Sequence, residues 1–260
     1  MPTNPYAPPT AQVADQTVIQ RSQYVPGGRG VPAGNGWNWI AEGWGLFKSA
    51  PGMWIAIIVV FVVIFIVLAL IPLVGSLALS LLFPVFGAGF MIGCRAIDDG
   101  GQLEFKHLFE GFSQRFGPLI AVGALYLAAS IAIFLVAMLI TGASLFALFA
   151  AGGSQSAAAT GGALAGLALA VLIVLALSIP LLMAVWFAPA LVVFHELGPV
   201  EAMKQSFTGC LKNIVPFLVY GIMFTLLAIL ATIPLGLGWL VLGPVTAASI
   251  YTAYRDIYLS

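Results

Sequence analysis

Charged residues are scarce in this 260-residue sequence: only 7% are Asp, Glu, Lys or Arg, while 62% are hydrophobic. A typical soluble domain is about 25% charged and about 45–50% apolar. Because a soluble protein must cover its surface with polar groups, so low a charge content excludes a water-soluble domain. The composition instead predicts an all-α, polytopic bundle of transmembrane helices.

Charge is absent altogether from three long stretches, residues 49–94, 116–194 and 213–254. A membrane-spanning helix needs roughly 20 apolar residues, so each stretch accommodates two helices that form a hairpin. We therefore predict about six transmembrane helices, in three hairpins. Their expected ranges are 52–71, 75–97, 118–141, 163–194, 214–233 and 237–257. We expect the excess of small residues at 142–162 to form a long, flexible loop on the non-cytoplasmic side.

The Lys and Arg residues, nine in all, precede, separate or follow the three hairpins, and none lies in a hairpin turn. Cytoplasmic loops of membrane proteins are enriched in Lys and Arg. The pattern therefore predicts that both termini lie in the cytoplasm and that the three hairpin turns lie on the opposite side.

Motifs for catalysis and cofactor binding are also lacking. His195-Glu196 begins like the HExxH motif of zinc proteases, but Pro199 takes the place of the second histidine. The two cysteines, Cys94 and Cys210, have no metal or redox spacing. A net charge of zero without a basic stripe argues against nucleic acid as a partner. We expect no catalytic site, no cofactor and no metal site, and hence a protein that is not an enzyme.

The predicted spans also carry no ionisable side chain deep inside the membrane. Ion-coupled transporters and proton pumps place such groups along their pathway, so the sequence argues against both classes. The main polar groups within the spans are hydroxyls, and Ser and Thr hydroxyls can bond carbonyls of their own helix. These hydroxyls are Tyr126, Ser130, Ser178, Tyr220, Thr225 and Thr232.

Three landmarks recur along the chain and indicate an internal repeat. The first is a short amphipathic stretch of the form F-x-G followed by proline seven residues later, as in FEGFSQRFGP and FTGCLKNIVP. The second is the tripeptide IPL, which occurs three times. The third is a proline eleven residues before an arginine, as in Pro84 with Arg95 and Pro244 with Arg255. We predict three copies of one unit: an interfacial helix, a membrane hairpin and a cytoplasmic exit.

The expected domain organisation follows from this repeat. Residues 1–36 are rich in Pro and Gly and are expected to form a disordered cytoplasmic tail. Residues 37–260 are expected to form one membrane domain. Its three repeats are placed at about 37–98, 103–196 and 199–258.

The linker before each hairpin has apolar residues at helical spacing, which is typical of short amphipathic helices lying in the membrane interface. Two interpretations stay open: the helices anchor the hairpins, or together they line a cytoplasmic groove or interface for a ligand or partner. The candidate residues for the second interpretation are Trp37, Trp44, Phe109, Phe112 and Phe207.

Two further features allow alternatives. Arg95 and Arg255 occupy equivalent repeat positions at the membrane face, where they serve as topology anchors or contact lipid headgroups. The GxxxG patterns Gly89–Gly93 and Gly162–Gly166 allow close helix packing, either within the chain or in a homo-oligomer.

Three stretches resemble an uncharacterised family of bacterial inner membrane proteins: the tail NPYAPPTAQVAD, the motif W-x-x-x-G-W-x-x-F from Trp39 to Phe47, and RAIDDGGQLEFKHLFEGF. The layout is also similar to the membrane domain attached to some glycerophosphodiester phosphodiesterases. The resemblance implies a multi-pass protein of the bacterial inner (plasma) membrane. Because the chain has no catalytic domain of the phosphodiesterase kind, that activity does not carry over.

We expect the chain to bind or organise a partner, either a membrane protein or a lipid, because its polarity lies on one side. The alternative is a facilitator or channel for a small neutral or amphipathic solute, for which the scattered hydroxyls would supply the polar path.

Overall fold

The computed structural model describes residues 23–150 and 157–260, and the described chain is almost wholly helical. The predicted tail residues 1–22 and residues 151–156 of the predicted loop lie outside the described residues. The helices are, in chain order, α1 (Asn35–Ser49), α2 (Pro51–Ala69), α3 (Val74–Asp98), a 3-10 helix (Phe105–Phe109), α4 (Glu110–Ser113), α5 (Phe116–Ala150), α6 (Ala157–Trp186), α7 (Ala188–His195), α8 (Pro199–Lys212), α9 (Ile214–Thr232) and α10 (Trp239–Tyr258). The all-α membrane bundle predicted from composition is confirmed.

Five helical segments within the described residues are long and apolar enough to cross a membrane, and they correspond to the first five predicted spans. They are Pro51–Ala69, Val74–Asp98, Phe116–Phe149, Thr160–His195 and Ile214–Thr232. The fourth includes the short break at Phe187 that separates α6 from α7. Pro180 lies inside α6, and Pro189 begins the first turn of α7.

The sixth predicted span corresponds to α10, which has 20 residues but is not among the segments of sufficient apolarity. Its course is nevertheless that of a returning helix. Gly238, just before α10, lies against Ala231 near the end of α9, and Tyr258 packs on Gly209 just before α9. Polar side chains of α10 such as Thr252 are buried against other helices, so this helix does not need the apolar surface of a lipid-facing one.

The second hairpin is longer than predicted. Helix α5 has 35 residues and α6 has 30, so the range expected as a long loop is largely helical, through Ala150 and again from Ala157. At about 1.5 Å per residue, α5 extends roughly 50 Å, well beyond the roughly 30 Å of a bilayer core. Alanine and leucine, which form helices readily, make up much of this range and account for the extension.

The short helices between the hairpins pack in a cyclic order. Helix α1, which opens the first unit, packs mainly on α9 and α10 of the third. The 3-10 helix and α4, which open the second unit, pack mainly on α3 of the first. Helix α8, which opens the third unit, packs mainly on α6 and α7 of the second. Each unit therefore places its short helix on the hairpin of another unit, and the three contacts close a ring.

The glycine of the first repeat landmark explains how closely these helices approach. A Cβ on Gly111 would lie 2.1 Å from the carbonyl oxygen of Val85, the residue after Pro84. Gly43 is the equivalent glycine in EGWGLFKSAP, a looser match with one extra residue before Pro51. A Cβ on Gly43 would lie 3.0 Å from the carbonyl oxygen of Val245, the residue after Pro244. In both contacts the landmark glycine of one unit lies on the backbone just after the landmark proline of another.

The second short helix is less regular than predicted for 103–116. The 3-10 helix begins after Glu104, whose side chain and that of His107 cap each other's backbone amides. The Lys106 ammonium, 2.9 Å from Glu104, holds the pKa of that carboxyl below its ordinary value. The chain then bends at Arg115, which has a positive φ of 140°, before α5 begins. The hydrogen bonds of the cap favour the tighter turn over a continuous α-helix.

Two glycines of α1 provide a matched test of this packing. We expect Gly43→Ala to lower the free energy of unfolding by about 1–3 kcal/mol, because the new methyl group overlaps the backbone of α10. Nothing lies within 4 Å of a Cβ on Gly45, so Gly45→Ala is expected to stabilise the protein by up to about 1 kcal/mol through helix propensity. Denaturant titration in mixed micelles measures both. Equal effects of the two substitutions would contradict the close approach.

Candidate functional site

The two ends of the described chain pair with each other at one end of the bundle. We call it the polar end, because the ion pairs of Arg255 with Glu42 and Asp98 lie there. Tyr24 and Leu259 form an antiparallel β-bridge. Gln23 and Ser260 exchange backbone hydrogen bonds of 3.1 Å in both directions, and the Val25 amide donates to Tyr258 at 2.8 Å. The prediction of a disordered tail through residue 36 is therefore wrong for residues 23–36. Backbone pairing with the C-terminus supplies the order that their composition does not suggest.

A buried asparagine holds the rest of this N-terminal segment, residues 23–31. The Asn213 Oδ1 accepts the Val31 amide at 2.8 Å, and its Nδ2 donates to the carbonyls of Arg29 and Gly209, each at 2.8 Å. The Lys212 ammonium donates to the Gly28 carbonyl at 2.7 Å. Gly28 has a φ of 67° and no room for a Cβ, so only glycine fits there without strain.

Tyr24 attaches the N-terminal segment to α7 and α8. Its ring stacks on His195 with 3.7 Å between centroids, and its hydroxyl donates to the side chain of Gln205. Burial, and to a lesser extent the nearby Glu201, raises the pKa of Tyr24, so the phenol stays protonated as this hydrogen bond requires. His195 in turn bonds the hydroxyl of Tyr254. The His195 imidazole thus lies between Tyr24 and Tyr254. Within the described residues, no group of three or more His, Cys, Asp or Glu side chains could hold a metal ion.

Ion pairs join the ends of the helices near the same segment. Arg255 of α10 contacts Glu42 of α1 at 2.7 Å and also pairs with Asp98 of α3. Tyr251 donates a 3.0 Å hydrogen bond to Asp98. These contacts lie at the equivalent ends of the first and third units and tie α1, α3 and α10 together.

A second cluster of polar contacts surrounds Asp256, next to the ion pairs of Arg255. Its carboxylate accepts hydrogen bonds from Asn35 at 2.7 Å and from the indole of Trp39 at 2.9 Å, and it pairs with Arg29 at 3.4 Å. Neither Asn35 nor Asp256 carries a sequence signal of a site. Their role depends on the packing of α1 on α10, which a motif search does not reveal.

A polar pocket of about 280 Å³ lies between the N-terminal segment, α1 and α10. It contains two guanidinium groups, two carboxylates and two carboxamides. Its lining residues are Arg29, Asn35, Asn38, Glu42, Arg255, Asp256 and Leu259. Arg29 pairs with Asp256 and Arg255 pairs with Glu42, so the pocket is balanced in charge.

The two arginines predicted at the membrane face differ in their surroundings. Arg255 is held by two carboxylates and lines the polar pocket. Arg95 remains 53% exposed at its side chain, lies 3.6 Å from Asp99 and places its guanidinium 4.9 Å from the centre of the Phe194 ring. Arg95 and Arg255 therefore occupy equivalent positions in the repeat, but their side chains contact different partners.

The aromatic residues proposed for a groove lie on four short helices, α1, the 3-10 helix, α4 and α8, which pack on three different hairpins. Trp37 and Trp44 are exposed on α1, and Trp44 contacts Phe47. Phe109 and Phe112 are partly exposed and pack on Phe86 of α3. Phe207 is half-buried on α8. The aromatic contacts of these residues are to neighbours on the same helix, on the next helix in the chain or on the hairpin beneath.

Comparison with known proteins identifies a family to which the chain belongs. A probable inner membrane protein of Burkholderia thailandensis is 30% identical over 204 residues, which cover 76% of this chain and 75% of the relative. The chain belongs to the same family of inner membrane proteins. No protein-family model and no solved structure matches the chain. The relative and the apolar helices agree on a multi-pass integral membrane protein.

Replacement of Asn213 tests the attachment of the N-terminal segment. We expect Asn213→Ala to release residues 25–31, because the substitution leaves the Val31 amide and the Arg29 carbonyl without their partner. Hydrogen exchange of this segment should accelerate by roughly tenfold or more, as one to two lost hydrogen bonds imply. The exposed Asn38 provides the control, and Asn38→Ala should leave the exchange unchanged. Protection that survives in Asn213→Ala would contradict the assigned role.

Proposed function

We propose that the protein is a non-enzymatic integral membrane protein that binds and organises a partner at its polar end. The observation that supports this proposal is the charge-balanced pocket at the point where the two ends of the chain meet. Helix α1, which supplies three of the lining residues, also exposes Trp37 and Trp44 on a face away from the pocket. Tryptophan favours the level of lipid headgroups, so this surface suits a position at the membrane interface.

The pocket chemistry favours a lipid headgroup with both charges, and phosphoethanolamine is the simplest such group. Its phosphate would contact the guanidinium groups of Arg29 and Arg255, and its ammonium would donate to Glu42 or Asp256. An anionic headgroup alone would leave the carboxylates without a new partner. A protein partner with paired charges is the alternative that the same pocket would accept.

The proposal also places the polar end, with both termini, in the cytoplasm. All nine Lys and Arg residues of the sequence precede, separate or follow the hairpins, and the pairing of residues 23–25 with 258–260 brings the two ends to one side.

Single cysteines test this orientation. The native Cys94 and Cys210 are buried and should not react. We expect a membrane-impermeant maleimide applied to intact cells to label Leu235→Cys, since Leu235 is 97% exposed in the turn between α9 and α10. Lys48→Cys, at the polar end, should be labelled only after the membrane is permeabilised. The reverse pattern would place the polar end outside the cytoplasm.

Headgroup selectivity tests the pocket. We expect the protein purified in nanodiscs to retain phosphatidylethanolamine in preference to phosphatidylglycerol and phosphatidylcholine, as measured by native mass spectrometry. Phosphatidylglycerol lacks the amine, and the quaternary amine of phosphatidylcholine cannot donate a hydrogen bond. Glu42→Gln and Arg29→Gln should each reduce the retained lipid about two- to fivefold, the range of partly exposed charge pairs.

Lys48→Gln is the control for this experiment, because Lys48 is an exposed cation on the same helix outside the pocket. It should leave retention unchanged. Equal retention of all three lipids, or a loss as large in Lys48→Gln as in Arg29→Gln, would reject the pocket as a headgroup site.

The N-terminal NPYAPP sequence and the layout similar to the phosphodiesterase membrane domain fit a protein of the bacterial inner membrane, and neither resemblance implies a function. A facilitator of neutral solutes remains the second candidate. A single observation favours it, a groove between α5 and α6 that contains three hydroxyl groups.

A further inference from the structure

We infer that the groove between α5 and α6 is a binding site for the head of a neutral lipid that carries carbonyl or hydroxyl oxygens. The groove has a volume of about 270 Å³. Three of the intramembrane hydroxyls singled out in the sequence, those of Tyr126, Ser130 and Ser178, converge there from two helices. The site is separate from the polar pocket, so its failure would leave the proposed headgroup site untouched.

The position of Tyr126 within the membrane is unusual. It lies ten residues beyond Phe116, the start of α5, or about 15 Å along the helix. The charged Arg115 marks the polar end just before α5. Because the hydrocarbon core is about 30 Å thick, a core that begins near Phe116 would contain the Tyr126 side chain. Tyrosine in membrane proteins is instead enriched at the interfaces.

The hydroxyls of the groove also differ from the others in the spans. Thr225 bonds the carbonyl of Gly221 at 2.7 Å, Thr232 bonds that of Ala228 at 2.8 Å, and Ser144 bonds that of Ile140 at 2.8 Å. Tyr220 is paired with Ser249 at 2.8 Å. Serines can turn back to their own helix in this way, but the phenol of Tyr126 is too far from its backbone to do so. Tyr126 makes no hydrogen bond within the described residues, and a hydroxyl without a partner in hydrocarbon is costly, so a polar ligand atom in the groove would stabilise it.

The chemistry of the ligand follows from the lining. The hydroxyls are donors that a carbonyl oxygen can accept, and they are acceptors for a ligand hydroxyl. No charged side chain lines the groove, so a charged head would be left without a counter-ion at this depth. The remaining lining is apolar, including Phe134, Val174 and Leu182. A neutral head of modest size fits, with its tail in the surrounding lipid.

The occupant is a lipid rather than another helix because the groove opens toward the bilayer and is small. Phe134 is 65% exposed and Leu182 is 50% exposed, so both edges of the groove face lipid. A volume of about 270 Å³ is at the lower limit of ligand pockets and too small to seat a helix about 10 Å across. Two neutral lipids share the required chemistry: a benzoquinone with an isoprenoid tail, and a diacylglycerol.

Photolabelling with three matched probes tests the site in nanodiscs of phosphatidylethanolamine and phosphatidylglycerol. The probes are a diazirine-bearing isoprenoid benzoquinone, a diazirine-bearing diacylglycerol, and the phosphatidic acid with the same labelled acyl chains. We expect at least one neutral probe to label peptides of α5 and α6 around Phe134 and Leu182, and the phosphatidic acid to label them far less. The neutral probe that labels identifies the source of the head.

Variants decide whether the hydroxyls hold the ligand. Tyr126→Phe retains the ring, so the fold is preserved, and it should reduce labelling by the neutral probe roughly five- to tenfold through the lost hydrogen bond. Ser178→Ala should reduce it less, and the double variant most. Thr225→Val removes a hydroxyl that is bonded within its own helix and should leave labelling unchanged.

Three results would overturn the inference. One is labelling by the neutral probes no stronger than by phosphatidic acid. A second is unchanged labelling in Tyr126→Phe. The third is efficient disulfide formation between two copies of Ser130→Cys in membranes, which would mean that a second chain covers the groove.

Discussion

Backbone contact at glycine controls the architecture of the polar end. Within lipid, apolar side chains gain little by leaving hydrocarbon for a protein interior, so helices associate where small residues let their backbones meet. Gly43 and Gly111 create two such contacts, each against the turn of helix that follows a proline. A ring of three short helices on three hairpins results, and the central residues of the core, including Trp39, Trp54 and Tyr254, are buried inside it.

The ring of short helices also explains why the helices are packed more closely at the polar end than farther along the bundle. At the polar end every hairpin has a neighbour's short helix against it, and the core is continuous. Farther away α5 and α6 pack chiefly on each other, and side chains such as Leu139 and Phe146 are more than 70% exposed. The polar pocket lies where the ring is tight, and the hydroxyl groove lies where the second hairpin leaves it. The two candidate sites thus lie in differently packed parts of the chain.

Much of the fold was predictable, because exclusion of charge from hydrocarbon is a strong constraint that composition reports directly. The five apolar spans and the short interfacial helices follow from it. The order of residues 23–36 was not predictable, since it depends on backbone pairing with residues 258–260, more than 200 positions away. The length of α5 does not follow from the sequence, because a run of small residues is typical of a flexible loop although alanine favours helices. Of the site, the repeat pattern indicates Arg255, whereas Asn213 acquires its role through the N-terminal segment and Asp256 through the contact of the first and third units.

The cyclic packing has a consequence for synthesis. Helix α1 is among the first parts of the described chain to leave the ribosome, while α9 and α10, on which it packs, are the last. The first hairpin must therefore enter the membrane with its short helix unpaired and wait there for the third. Residues 23–31 can dock only after Tyr258 is in place, so this pairing follows the synthesis of α10. A truncated product would carry an unoccupied α1 and an unpaired N-terminal segment, which gives quality-control proteases a simple feature by which to recognise it.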